Sequence, residues 1–424
     1  MLDYPAAIPY DRPIMRALYI YTHGYPSEDG HSTASRLAWR HLYLLAHRME
    51  IDLLCLVPLR EAHSAPPPAL QSLCRQIIPV PSPPSRALGI RAVLRGLLAG
   101  EPPALALKRQ PAAAVFIRQA LQDKTLTLLV AHSTDGLVNI SPAALREAAR
   151  PLWILSEEIQ WTAWRGYRPW QWRAIGPQQA FQSLLWPRMR QFERTRFRLA
   201  AEVACLSERE QAAVRALDPA IPTALLPLPL LSEFPHPAPE PNHAPLLLFT
   251  GHFGHPPNRL AAVELARQIL PLVQKEAPAA RLRLAGHGAG SLRKIVGPQP
   301  ELIESPLSLI PLYREAAILL GPLRTGEGVR GKFLEALACG CPVITTALGA
   351  SGIRVGEGEG LIRAETPHIL AEAAIRLLRF PALRHRLGSA AAKTVRRTHS
   401  PEAFDRPFNA ALDRLLTNQK GGPP

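Results

Sequence analysis

Residues 326–346 read GEGVRGKFLEALACGCPVITT. A strand-like apolar run over residues 317–320 precedes them, and a loop over 321–328 follows that run. An amphipathic helix is expected from about 331 to 338. Cys339-Gly340-Cys341-Pro342 stops it, with Gly and Pro in the order that ends helices. The next strand covers 343–346. Gly326, Gly328 and Gly331 let the backbone approach a ligand closely. The helix start offers unbonded N–H groups and a partial positive charge, which suit a diphosphate. Arg330 and Lys332, flanking Gly331 just after Val329, add two cations. Glu327 in the loop and Glu335 on the helix, with seven residues between them, are acceptors for sugar hydroxyls. The pattern implies a nucleotide-sugar site.

Outward from this stretch, short apolar strands alternate with helical patterns, the signature of a parallel α/β sheet. Strands are expected at residues 17–21, 51–57, 77–80, 126–131, 152–155, 203–206 and 224–228. Residues 231–245, LSEFPHPAPEPNHAP, hold five prolines and almost no apolar periodicity, and read as a linker. A second series follows at 246–250, 282–285, 302–304, 317–320, 343–346 and 360–363. A helix is expected over 259–270 between the first two of these, and others near 368–378 and 401–416. The organisation predicted is an acceptor-side domain over 14–230 and a donor domain over 246–400. A helix over 401–416 would pack back toward the first domain, ahead of a disordered tail, 417–424. Two doubly wound domains would face a cleft at the carboxyl ends of their strands, where such sheets bind ligands.

Composition narrows the class. At 424 residues the chain is long for a single core. The net charge of +15 favours acidic or phosphorylated partners. The five cysteines, at 55, 74, 205, 339 and 341, form no C-x-x-C and no paired framework, which suits a reducing cytoplasm and argues against structural zinc. The N-terminus lacks a signal-peptide pattern. No apolar run approaches the roughly 18 residues that span a bilayer. The expectation is a cytoplasmic protein, soluble or peripheral at the inner membrane.

With these residues in view, the chain resembles the glycosyltransferases of family 4 (group 1), which have the GT-B fold. The resemblance rests on the E-x7-E pair Glu327 and Glu335 and on ALACGCPVITT at 336–346. Supporting pieces run in family order: LYIYTHG at 18–24, CLSERE at 205–210, LFTG at 248–251, LAGHG at 284–288 and LYREAAILLGP at 312–322. It is nearest the subset associated with bacterial exopolysaccharide export, through HGYPSEDG at 23–30, Pro257-Asn258 and GVRGK at 328–332.

The resemblance implies retaining transfer of a sugar from a nucleoside-diphosphate donor to a growing polysaccharide or lipid-linked glycan acceptor. It implies neither a bound metal nor any cofactor beyond the donor itself. Carried over residue by residue, Glu335 holds the ribose hydroxyls, Glu327 the donor sugar, and His132 touches the sugar near the reacting carbon. Gly24, Gly30, Gly251, His252, Gly326, Gly328, Val329, Arg330 and Lys332 line the donor site.

One departure stands out. Many relatives place an Arg and a Lys in the loop after the second domain's first strand, to neutralise the diphosphate. Here that loop reads GHFGHPPN, with His252 and Pro257 at those positions. A leaving diphosphate still needs positive charge, and Arg330 and Lys332 are the expected substitutes. His252 and His255 form an H-x-x-H without a third ligand in sight.

On the acceptor side, residues 161–198 hold five of the seven tryptophans and eight arginines against the single acid Glu193. That composition suits an anionic membrane surface, and equally a helical pair with core tryptophans and a solvated Arg face. Three other function classes remain open: a GT-B protein that binds a nucleotide sugar without transferring it, an epimerase of similar architecture, and a basic nucleic-acid-binding protein. Against the last, no recognised nucleic-acid-binding motif occurs.

Overall fold

The computed structural model describes residues 15–29, 32–62, 64–82, 96, 100–106, 108–167, 177–231, 234, 244–356 and 358–417. Two compact units emerge. Unit 1 comprises Met1–Trp164, Leu184–Leu226 and Asp405–Pro424, and unit 2 comprises Arg165–Ser183 and Pro227–Phe404. Most of the linker predicted at 231–245 lies outside the described residues.

Unit 1 contains β1 (Arg16–Tyr21), β2 (Glu50–Pro58), β3 (Gln76–Ser82), β4 (Leu126–His132), β5 (Leu152–Leu155), β6 (Glu202–Cys205) and β7 (Thr223–Leu225). They form one sheet in the order β3-β2-β1-β4-β5-β6-β7, and every pairing is parallel. Helices cover both faces of such a sheet, so its central strands are continuous apolar runs; β1 is buried from Ala17 to Tyr21. Pro79 and Pro81 sit in β3, an edge strand, where a missing N–H costs no ladder bond on the open side.

Ion pairs brace unit 1. Asp52 accepts hydrogen bonds from Arg16 Nε and Arg75 Nη2, both at 2.7 Å. The last helix, Pro401–Thr417, supplies Asp405, Asp413 and Arg414 to ion pairs with Arg40, Arg48 and Glu202.

Unit 2 contains β8 (Leu246–Thr250), β9 (Arg281–Gly286), β10 (Glu301–Glu304), β11 (Ile318–Gly321), β12 (Val343–Thr345) and β13 (Leu361–Arg363). Its sheet runs β10-β9-β8-β11-β12-β13, again all parallel. Each sheet reverses its strand order once, between β1 and β4 in unit 1 and between β8 and β11 in unit 2. At such a switch point the connections on either side lead off in opposite directions and leave a crevice at the carboxyl ends.

Two helices depart from the sequence expectation. The helix predicted at 259–270 starts at Pro256 and runs on to Glu276. Pro271 has no N–H, and a π-turn over Leu265–Ile269 precedes it and carries the chain into the next helical segment.

The helix Pro381–Thr398 lies between the helices expected near 368–378 and 401–416, and carries Gly388 in its interior. The glycine is there for packing. A Cβ at 388 would lie 1.9 Å from the Gly340 carbonyl oxygen, at the end of the helix Gly331–Ala338. This contact seats the helix that carries Lys332 and Glu335. Gly388→Ala is expected to lower unfolding free energy by at least about 2 kcal/mol, measured by urea titration.

His399 ties the start of unit 2 to its end. Its buried ring donates from Nδ1 to the Leu228 carbonyl (2.7 Å) and accepts at Nε2 from the Arg354 N–H (3.0 Å). Burial lowers its pKa from 6.5 to about 4, with the Leu228 bond opposing and Arg354 adding. The unfolded chain therefore takes up this proton first. The contribution is complete above pH 6.5 and is lost as pH falls toward 4. His399→Gln should flatten the decline of stability over that window, as read from melting temperature against pH.

Candidate active site

The site in unit 2 is built at the switch between β8 and β11. After β8 the chain turns through Gly251 and His252 into the helix Pro256–Glu264. The β9 loop packs directly against this turn: a Cβ on Gly286 would lie 2.1 Å from the Gly251 carbonyl oxygen. The Phe253 N–H donates to the His287 carbonyl at 2.8 Å. The rings of His252 and His287 lie 4.7 Å apart.

From the other side, the loop after β11 brings Gly326 (φ 85°) and Gly328 (φ 83°) in left-handed conformations open to glycine. A Cβ on Gly326 would sit 2.9 Å from Pro257 Cγ and 3.1 Å from Arg330 Nη2. The backbone here is thus threaded between the β8 loop and a guanidinium. Glu327 and Val329 in the same loop are buried.

The helix Gly331–Ala338 begins with no side-chain cap on its first turn. Lys332 crosses the switch from this helix. Its Nζ donates to the Thr250 carbonyl at 2.7 Å and to Asn258 Oδ1 at 2.6 Å, and lies 4.2 Å from the centre of the Phe249 ring. Burial, and then the charge of Arg330, hold its ammonium well below the usual lysine range, with Glu335 opposing. Arg330 Nη1 donates to the Glu327 carbonyl at 2.5 Å, which braces the loop.

Lys332 therefore meets Asn258, and Arg330 lies near Pro257 across Gly326, in the loop where the sequence offers neither Arg nor Lys before Asn258. Desolvation, and then the charges of Arg330, Lys332 and His252, lower the pKa of His255 to about 4, although much of the residue meets solvent. Its ring is neutral at pH 7 and adds no positive charge of its own.

Glu335 is positioned by a residue the sequence reading passed over. Tyr313 Oη donates to Glu335 Oε2 at 3.1 Å and lies 3.3 Å from Thr250 Oγ1. Thr250 thus anchors Lys332 by its carbonyl and Tyr313 by its side chain. One strand end sets both a cation and a carboxylate. Glu335 remains half-buried beside the capless helix start.

Of the predicted residues, Gly251, His252, Gly326, Glu327, Gly328, Val329, Arg330, Lys332 and Glu335 all gather at this switch. Tyr313, Asn258 and Phe249 join them. Asn258 lies in the quoted Pro257-Asn258 pair, Phe249 in LFTG and Tyr313 in LYREAAILLGP, but only the fold brings the three to one place.

The remaining predicted residues belong to unit 1. Gly24 follows β1 with φ 90°, and its N–H donates to the Leu56 carbonyl at 3.0 Å. Gly30 lies outside the described residues. His132 ends β4, fully buried. Its Nδ1 is 2.6 Å from Tyr19 Oη and its Nε2 is 2.5 Å from Glu157 Oε1.

In the Trp-rich stretch, Trp161 and Trp164 are core residues, while Trp170 and Trp172 lie outside the described residues. The acid Glu193 is buried there too. It accepts from Thr134 Oγ1 (2.8 Å) and from the N–H groups of Gln160 (2.9 Å) and Trp161 (3.0 Å). Its role is to hold together the start of the helix Gln160–Arg165 and the turn after β4.

Among the described residues no three His, Cys, Asp or Glu side chains are grouped to hold a metal. All five cysteines are buried and free. No helix of the described residues is long and apolar enough to cross a membrane.

Tyr313→Phe removes the hydroxyl that orients Glu335. It should weaken nucleotide binding by roughly 5- to 10-fold, as measured by calorimetry, with little loss of stability.

Comparisons with known proteins bear on the family of this region and on the fold. Residues 244–379 match the family described as Glycosyl transferases group 1, a range that takes in the whole of the unit 2 cradle. A curated relative, an uncharacterized 44.6 kDa protein in the cps region of Klebsiella pneumoniae, is 29% identical over 136 residues, 30% of this chain. The match spans about a third (35%) of that relative's length.

Among solved structures, sucrose-phosphate synthase from Thermosynechococcus elongatus is similar at 18% identity. It covers 95% of this chain and 100% of its own, with a TM-score of 0.69. HepE from Anabaena in complex with UDP-glucose is similar at 13% identity, over 94% of this chain and 100% of its own, with a TM-score of 0.60. At these identities the solved structures speak to fold. The chain carries two parallel-sheet α/β domains of the GT-B kind, and the second holds the glycosyl transferases group 1 region.

Proposed function

We propose that the protein is a retaining glycosyltransferase that moves a sugar from a nucleoside-diphosphate donor to a growing polysaccharide or lipid-linked glycan, without a bound metal. The observation that carries this reading is the convergence of Arg330, Lys332 and two left-handed glycines on an uncapped helix start, beside Glu335. Breaking an anomeric bond builds negative charge on the departing diphosphate. A buried ammonium and a guanidinium at that point stabilise it without reorganisation. Two of the three N–H bonds of Lys332 are committed to Thr250 and Asn258, and the third is left for a phosphate oxygen. Glu335, steadied by Tyr313, suits a pair of ribose hydroxyls, and Glu327 suits the sugar.

The family match over residues 244–379 supports glycosyl transfer. The relative in a Klebsiella cps region supports a polysaccharide product, and the UDP-glucose bound by HepE supports a nucleotide-sugar donor. For a membrane-borne acceptor, the support is the exposed pair Phe181 and Leu184 on the helix Pro177–Leu184, in the basic stretch, rather than Trp161 and Trp164.

Three measurements test the reading. UDP-, GDP- and ADP-sugars are screened for thermal stabilisation. One class should raise the melting temperature by several degrees, since a ligand bound only by the folded chain shifts the equilibrium by mass action; no shift with any of them defeats the reading. Lys332→Ala should cut turnover about 100-fold or more, against a small effect of His252→Ala. Equal, small effects from both would remove the substitution of Arg330 and Lys332 for the missing pair. The protein should co-sediment with anionic vesicles at low salt and be released at high salt.

A further inference from the structure

Unit 1 holds a cluster of polar groups that donor binding leaves unused. It lies at the carboxyl ends of β1, β4 and β5, beside that sheet's switch point. His132 is at its centre and is wholly buried. A carboxylate can only accept, so the 2.5 Å contact with Glu157 Oε1 places a hydrogen on His132 Nε2. On its other side, His132 Nδ1 lies 2.6 Å from Tyr19 Oη. Tyr19 Oη also lies 3.1 Å from His41 Nδ1. Burial, and then His132, hold the pKa of His41 well below the ordinary value, so His41 is neutral. The hydrogen bonds form a continuous chain, His41–Tyr19–His132–Glu157. Both ring nitrogens of His132 are spent within the protein, and neither is left for a ligand.

The chain surfaces at Glu157, whose side chain is 21% exposed while that of His132 is 0% exposed. His132 occupies Oε1, which leaves Oε2. Burial pushes the carboxyl up, but the charge and hydrogen bond of His132, with His23, outweigh it and hold the group below the usual range. Glu157 is thus an anion at neutral pH.

Beside it, His23 lies 3.6 Å from Asp135. Two hydroxyls at the same strand ends, Thr22 Oγ1 and Ser133 Oγ, are buried without a hydrogen-bond partner. Ser133 is also held at φ 66°, a costly conformation for a residue with a Cβ. Buried hydroxyls left unmatched beside an aimed carboxylate are what a polyhydroxylated ligand would satisfy.

We propose that Glu157, rather than His132, is the residue through which unit 1 meets substrate: its carboxylate accepts a hydrogen bond from a sugar hydroxyl, and the buried chain His41–Tyr19–His132 fixes its orientation. The proposal rests on the glycosyltransferase reading. Glu157 binds substrate; Tyr19 and His132 are positioning residues.

The test uses the full chain and whichever nucleotide sugar of the UDP, GDP and ADP panel the wild type turns over. Glu157→Gln keeps the shape and removes the charge. It should reduce turnover roughly 10- to 150-fold, the worth of a hydrogen bond to a charged group. Affinity for the matching nucleoside diphosphate alone, held by unit 2, should stay at the wild-type value.

The source of the hydroxyl is read from two reactions. Loss of both donor hydrolysis and transfer assigns it to the donor sugar; loss of transfer alone assigns it to the acceptor. Tyr19→Phe removes the hydroxyl that meets His132 Nδ1 and should shift the pH dependence of turnover, which a packing role would leave in place. If Glu157→Gln melts early, Glu157→Asp, which keeps a charge beside His132, carries the same comparison.

Glu157 variants that fold and retain wild-type turnover overturn the proposal, as does a Tyr19→Phe profile superimposable on wild type. A wild type that turns over no sugar of the panel defeats the glycosyltransferase reading itself.

Discussion

Unit 2 depends on one ammonium group. Lys332 leaves the helix after β11 and ends on the carbonyl of Thr250 and the side chain of Asn258, on the far side of the switch. The strands on either side of a switch point lead their connections apart, and the β8–β11 pairing runs only through Leu247–Ile318 and Leu248–Leu319, short of the loops that form the two lips of the crevice. A cation with several donors and a long apolar stem can span them, and the Phe249 ring receives its charge on the way. The arrangement is electrostatically incomplete: a desolvated ammonium beside a guanidinium favours an anion between them.

The rest of the site follows from how closely backbone can pack there. Gly286 against Gly251, Gly326 against Pro257 and Gly388 against Gly340 are three contacts where a methyl group would force segments apart. Two of them close the β8 and β9 turns and the β11 loop around the crevice, and the third fixes the helix that feeds it. Thr345 Oγ1, donating to the Gly321 carbonyl at 2.5 Å, secures the start of the β11 loop from the next strand. Rigid strand ends thus carry a site made largely of loop residues, which matches how α/β sheets divide scaffold from chemistry.

Much of this was legible before folding. The strands of both sheets are short apolar runs between turn residues, and the crowding of Gly, Arg, Lys and Glu around 326–335 marks the site by composition alone. The failures have physical causes. Gly388 and Pro271 look like helix stops, and each is absorbed by a tertiary or backbone device, a close helix approach and a π-turn, that local pattern cannot report. For Trp161 and Trp164 the composition allows a membrane surface and a core equally, and the fold places both in the core. His132 sits at the strand end where its position predicts. What occupies its two nitrogens depends on Tyr19 from β1 and Glu157 after β5, residues 113 and 25 positions away, and no spacing rule connects them.

The cysteines lend the fold a built-in reporter. Burial pushes Cys74, Cys339 and Cys341 up to about 12, and Cys55 and Cys205 well above the ordinary thiol value. Alkylating and oxidising reagents react with thiolates they can reach, so the native molecule offers them neither charge nor access. The five sulfurs are divided between the two units, at 55, 74 and 205 in one and 339 and 341 in the other. Mass-resolved alkylation over time would therefore clock the opening of each unit separately, with no probe added to the protein.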